Sequence, residues 1–355
     1  MRRARFSISV IFLVHGLVIA SWVSRIPAIQ SALHLSPAAL GTLLLAATAG
    51  ALVAMPLTGA VIHKAGSRAV VMFTTAIFCL SLPVVALATS AGELAAALFL
   101  LGAAAGAMDV AMNVEAAALE KLYRRPIMSA FHGLFSAGGM AGSAIGGAFA
   151  AAGYSPESHF VIAAPVCGAI AGGVMAWLPP GSSEAEGSLT LRLPRNLWLL
   201  GALGFCILLG EGAMADWTGV YLKSSLGTGA GTAALGYAVF SATMAAGRFA
   251  GDWLTVRLGR VRLVRGGALL AAAGLTAALA FGNVFSALLG FACAGAGFAT
   301  IIPIVFGAGA NVNGVAPGAG VAAVTTAGYT GFLIGPPLIG FTAEYTSLRF
   351  ALGIV

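Results

Sequence analysis

Charge is what this sequence has least of. Only 8% of its 355 residues are Asp, Glu, Lys or Arg, against about a quarter in an ordinary soluble domain. That is too few ionisable side chains to cover a soluble fold of this length, and the mean hydropathy of +0.98 points the same way. A cytosolic enzyme or a secreted domain is excluded on these grounds. Catalytic strings are also missing. Without a GxxxxGK[ST] phosphate loop, ATP-driven transport within the chain is not expected. Without HExxH or GxSxG, intramembrane proteolysis and lipase chemistry lack their usual residues. The four cysteines, Cys79, Cys167, Cys206 and Cys293, lie in apolar runs with no CxxC or Cys/His spacing. They read as small buried apolar thiols, and neither a metal nor a cofactor is implied.

What the chain has in abundance is apolar runs, 59% of it being hydrophobic. A bilayer core needs about 20 apolar residues per helix. Runs of that kind fall near 6–24, 38–62, 69–89, 94–116, 129–152 and 159–178, then near 196–217, 232–255, 264–282, 284–306 and 319–343. A twelfth begins near Leu348 and stops at Val355. The expectation is an all-α membrane protein of twelve transmembrane helices, the last incomplete. It divides into an N-terminal six-helix bundle (1–178), a polar linker (179–194) and a C-terminal bundle (195–355). The opening Met1-Arg2-Arg3-Ala4-Arg5 resembles a signal peptide, but no Ala-x-Ala cleavage pattern follows, so the first run reads as a retained span.

The net charge of +7 does not form one footprint, so no nucleic-acid partner is implied. With the spans as drawn, 14 Lys and Arg fall on one side and 3 (Arg25, Lys223, Arg349) on the other, while Arg248 lies within a span. That asymmetry places the N-terminus and the linker in the cytoplasm. The five tryptophans, Trp22, Trp177, Trp198, Trp217 and Trp253, fall at expected span ends, where an amphipathic ring favours the interface. The two sets of six spans also resemble each other. Leu40-Gly41 opens span 2 and Leu235-Gly236 opens span 8; each leads to a basic turn, Gly66-Ser67-Arg68 and Gly259-Arg260. Beside Gly138, span 5 carries Gly139-x-x-Gly142-x-x-x-Gly146; span 11 carries Gly328-x-x-Gly331-x-x-x-Gly335, 189 residues on. Small residues at this spacing let helix backbones approach closely in lipid, and the repeat has the parallel form of two-bundle transporters.

These strings carry a family resemblance over essentially the whole chain. Gly59-x-x-x-His63-Lys64-x-Gly66-x-Arg68 is similar to the G-x-x-x-D-R/K-x-G-R/K loop of the major facilitator superfamily, with His63 where the acid usually stands. A second copy reads Gly247-Arg248-x-x-Gly251-Asp252, then Arg257-x-Gly259-Arg260. Asp109 to Asn113 is similar to a stretch of fucose permease, and the runs 126–139 and 211–217 resemble YbjJ-type bacterial inner-membrane transporters. The resemblance implies the major facilitator fold and alternating access, with spans 1, 4, 7 and 10 around a central cavity. It implies a monomer in the lipid bilayer of a bacterial inner membrane, moving a small-molecule substrate with protons. A membrane receptor on the same fold is the rival from another class. Within transport, an efflux antiporter competes with a symporter of a sugar-like solute.

Ionisable residues inside spans are costly in lipid and mark function. Asp109 and Asn113 share a face of span 4 at i, i+4, as candidates for proton and substrate binding; the competing reading of Asp109 is a structural acid bonded to a neighbouring helix. Glu211 and Asp216 lie in span 7, where Gly212 invites a break. His15 is a mid-span candidate, His132 reads as packing or gating, and Glu115 is expected to pair with Lys121 or Arg124. Arg248 and Asp252, again at i, i+4, read as a structural or gating ion pair, alongside the loop residues Gly59, His63, Lys64, Gly66 and Arg68. Gly138, Gly142, Gly146, Gly331 and Gly335 are expected at helix contacts.

Overall fold

The computed structural model describes residues 1–124, 127–179, 195–313, 315 and 317–355, with only the backbone described at 195–196 and 317–319. Residues 180–194, most of the expected linker, lie outside the described residues, as does Arg125. The described chain is helical, and no strand occurs in it. In order come α1 (Arg2–Val23), α2 (Ile26–Ala32), α3 (Pro37–Ala65), α4 (Ser67–Ala86), α5 (Ala91–Tyr123), α6 (Met128–Ala151) and α7 (Pro156–Met175). Then follow α8 (Arg195–Val220) with a π-turn at Tyr221–Ser225, α9 (Ala230–Leu258), α10 (Arg260–Phe281), α11 (Val284–Phe298), α12 (Ile301–Gly309), α13 (Pro317–Tyr345) and α14 (Leu348–Leu352). Among the described residues, nine helical stretches are long and apolar enough to cross a membrane; α1 with α2, α8 with its π-turn, and α11 with α12 each count as one.

Local signals account for the helix ends. Ser36, Ser90 and Ser155 each accept a backbone N–H three residues on. Asn283 and Ser286 form a reciprocal capping box at the start of α11. Gly66 ends α3 and Gly259 ends α9, both at φ 78°, a conformation that side chains bearing a Cβ rarely adopt. The two expected basic turns are thus built the same way.

The pairings repeat along the chain. α1 packs on α6 as α8 packs on α13; α3 and α4 both pack on α5, as α9 and α10 do on α11. Between the halves, α6 lies along α9 and α3 along α13. Glycine permits the tightest of these approaches. A Cβ on Gly142 would sit 2.5 Å from the Leu17 carbonyl oxygen, and one on Gly41 would sit 2.5 Å from that of Pro336. The contacts seen between α3 and α13 at Ala38, Gly41 and Thr48 all fall in the first half of α3.

Three expectations need correcting. α8 runs unbroken through Gly212, and the irregularity comes nine residues later, at the π-turn. Trp217 is therefore not at a span end; it is fully buried, and Trp22 is 5% exposed, whereas Trp177, Trp198 and Trp253 are exposed. Cys206 is also exposed, on the outside of α8, unlike the buried Cys79 and Cys167.

Candidate functional site

A run of polar side chains crosses the apolar interior where the two halves meet. Asp109, half-buried on α5, anchors one end. Asn113 Nδ2 donates to its carboxylate Oδ1 at 3.1 Å and to its backbone carbonyl at 2.8 Å. The two residues stand one turn apart, so the helix itself sets this pair. From α13, in the other half, the Tyr329 hydroxyl donates to Asp109 Oδ2 at 3.4 Å. One acid thus joins α5 to α13. No basic side chain pairs with it among the described residues.

The second cluster centres on Arg248 of α9. Its Nη2 lies 3.5 Å from Glu211 Oε2 on α8. Its Nη1 donates to Ser136 Oγ at 2.8 Å and to the His132 carbonyl at 3.4 Å, both on α6. Glu211 Oε1 and Arg248 Nε are buried without partners among the described residues. Tyr237 of α9 lies within electrostatic range of Glu211, Arg248 and Asp216, and Tyr329 within range of both Asp109 and Glu211. His15 of α1 packs between the Phe78 and Phe135 rings, its two ring nitrogens buried and unpartnered among the described residues. An acid, an amide, two phenols and a guanidinium on three helices, α5, α9 and α13, can bind a proton and a small polar solute.

The family model described as Major Facilitator Superfamily matches residues 8–336. The chain belongs to this superfamily. An uncharacterized MFS-type transporter of Yersinia pestis is 37% identical over 345 residues, covering 97% of this chain and 90% of the relative. Membrane protein MosC of Rhizobium meliloti is 35% identical, covering 96% and 84%. Among solved structures, an inward-facing, occupied bacterial homologue of the human lysosomal transporter Spinster aligns with TM-score 0.75 at 16% identity, covering 96% of this chain and 81% of that one. The nucleoside transporter NupG aligns with TM-score 0.71 at 12% identity, covering 100% and 95%. At such identities the structures speak for the fold alone. Major facilitator proteins move small-molecule substrates through membranes, and this chain is a multi-pass membrane transport protein, not an enzyme.

The superfamily loop sits between α3 and α4. His63 and Lys64 are exposed, Gly59 has open space where a Cβ would stand, and Gly66 supplies the turn. Arg68 reaches the Met175 carbonyl at the end of α7, 3.5 Å away. Glu115 accepts the Ser67 hydroxyl at 2.7 Å, at the N-terminus of α4, where a carboxylate also meets the positive end of the helix. In the second copy the expected Arg248–Asp252 pair is not formed: Arg248 turns to Glu211 and α6, leaving Asp252 exposed. Of the packing glycines, Gly138, Gly142, Gly146 and Gly331 meet neighbouring atoms within 3 Å of a built Cβ, whereas Gly335 keeps an ordinary 3.6 Å.

Two positioning features were not read from the sequence. Tyr329 carried no motif to mark it as the partner of Asp109. Arg25 is 3% exposed rather than at an interface: Nη1 donates to the Gly146 carbonyl at 3.4 Å and Nη2 to the Tyr154 carbonyl, so it caps the end of α6.

Proposed function

We propose that the protein is a secondary transporter moving a small polar solute by alternating access, coupled to protons through Asp109. Its fold would be the twelve-helix one, with bundles 1–178 and 195–355, a cytoplasmic linker between them and α14 in the place of the twelfth helix. The 14-to-3 charge split supports an N-terminus on the inside, and the bacterial relatives support a bacterial inner membrane. In that orientation the α3–α13 contacts at Gly41 and Thr48 close the outer side, which favours a cavity reached from the cytoplasm. The Asp109–Asn113 stretch supports a place in the fucose-permease-like, YbjJ-type branch. Asn113 would help bind the solute beside the acid.

One observation carries this reading: Asp109 belongs to one half of the molecule, and its partner Tyr329 belongs to the other. A carboxylate removed from water favours its neutral form, and a neutral acid no longer attracts the Tyr329 hydroxyl as a charged acceptor does. Proton binding and the relation between the halves are thereby linked. Asp109→Asn mimics the protonated acid. In proteoliposomes it should leave the protein folded and able to exchange substrate, while abolishing proton-driven accumulation. Unchanged proton flux in that variant rejects the assignment and moves it to Glu211. Pure exchange against an outward-directed proton gradient would instead favour the antiporter reading.

A further inference from the structure

We propose that Asp252 is a positioning residue for transport: the second counter-ion of Arg248, which exchanges Glu211 for Asp252 and in doing so releases the His132–Ser136 stretch of α6 from α9. The present contact of Arg248 with Glu211 is a single 3.5 Å approach with Glu211 Oε1 and Arg248 Nε left over. That is not the two-bond fork that guanidinium and carboxylate form when they are locked together. Asp252 stands one turn along α9 from Arg248, exposed and in no ion pair among the described residues. Both residues line a cavity of about 140 Å³ between α6, α9, α10 and α12, whose polar lining includes Ser129, Thr255, Thr300 and the base Arg260. A guanidinium that turns from Glu211 therefore has open, polar space and a waiting acid on its own helix.

The exchange matters because of what Arg248 holds. Its bonds to Ser136 Oγ and to the His132 carbonyl tie α9 to α6 across the two halves. Reaching Asp252 moves the guanidinium along α9 and away from both acceptors. The trigger is loss of charge on Glu211. Arg248 of α9 contacts that acid, Tyr237 of α9 and Tyr329 of α13 lie within electrostatic range of it, Asp216 of α8 lies within range of Tyr237, and across Arg248 is His132 of α6, within range of His15 of α1. α2 and α12 contribute no titratable side chain, while Asp252 shares its cavity with Arg260 of α10, which forms no ion pair with it among the described residues. With Glu211 charged, Arg248 stays on α6; with Glu211 protonated, the acid within one turn of Arg248 on its own helix is Asp252. Falling pH thus loosens the α6–α9 seam.

Hydrogen exchange of the full-length protein in lipid nanodiscs, followed by mass spectrometry, reads that seam without requiring a known substrate or any transport. It therefore stands apart from the assignment of Asp109. In the wild type, amides in the peptide spanning His132 to Ser136 should exchange about tenfold faster when the pH is lowered. Glu211→Gln should show that fast exchange at every pH. Adding Asp252→Asn to Glu211→Gln should restore most of the protection, because Arg248 then has no acid to leave for. Asp252→Asn alone should match the wild type at high pH and lose the response to acid. Equal exchange in Glu211→Gln with and without Asp252→Asn overturns the proposal. Should Glu211→Gln fail to yield folded protein, the comparison of wild type with Asp252→Asn decides alone: an intact acid response without Asp252 refutes it.

Discussion

A close helix contact makes a quantitative statement about a single methyl group. In Gly142→Ala the new Cβ falls 2.5 Å from the Leu17 carbonyl oxygen, 3.0 Å from the Ala20 Cβ and 3.1 Å from the Leu17 Cα. Two of these neighbours are backbone and cannot rotate away, so α1 and α6 must part. Overpacking of this kind costs about 1–3 kcal/mol. Against it stands the helix preference for alanine over glycine, about 1 kcal/mol. Gly172 on α7 supplies an internal control, since nothing lies within 4 Å of a Cβ built there. Gly172→Ala gains the same helix preference without the clash. The difference between the two variants therefore isolates the steric term, and Gly142→Ala should be less stable than Gly172→Ala by about 1–3 kcal/mol. Unfolding of the purified protein in mixed micelles, titrated with a denaturing detergent, measures that gap. If Gly142→Ala proves as stable as Gly172→Ala, α6 does not approach α1 through this face and the packing described for the N-terminal half is wrong.

Further substitutions address the seam between the halves. Tyr329→Phe removes one hydroxyl from Asp109; because that bond is long at 3.4 Å, the loss should be at the low end of about 0.5–1.5 kcal/mol, seen as a shifted pH profile of transport with little change in melting temperature. Gly41→Leu places a side chain where a Cβ already stands 2.5 Å from the Pro336 carbonyl oxygen; it should disfavour closure of that end and raise the accessibility of a cysteine placed at Ala38, and unaltered labelling would contradict it. Ser143→Ala leaves the Ala234 carbonyl without its 2.7 Å donor between α6 and α9; a loss of about 1 kcal/mol in detergent unfolding is expected.

Which of these features could be read beforehand follows from how local their causes are. The glycine stripe was legible because lacking a Cβ is a property of the residue itself, and lipid gives small residues at that spacing few other uses. Asp109 and Asn113 were legible because i, i+4 geometry comes with the helix. The partner of Arg248 was not. The same rule offered Asp252, but Glu211 and Ser136 are brought there by the rotation of α8 and α6 about their axes, and no local pattern records that rotation. Trp217 was misplaced because α8 continues into its π-turn, which carries the ring five more residues away from the helix end.

The helix breaks are the more instructive case. A proline cannot donate to the carbonyl four residues before it. Pro27 thus leaves Val23 without its bond, and α1 ends at Val23; Pro303 does the same to Ala299, and α11 gives way to α12 there. Yet Pro56, Pro83, Pro165 and the pair Pro336-Pro337 sit inside helices that run on. Proline marks where a span can break, and the neighbours decide whether it does. At Pro27 the short α2 leans on α8 and α9 of the other half, with the proline ring 3.3 Å from where a Cβ of Gly219 would be. At Pro303 the break opens beside the cavity shared by Arg248 and Asp252. Of these prolines, the two that interrupt a span do so where one half of the molecule meets the other or where a polar cavity stands open. Those are the places where a transporter that rocks its halves needs short, separately movable segments.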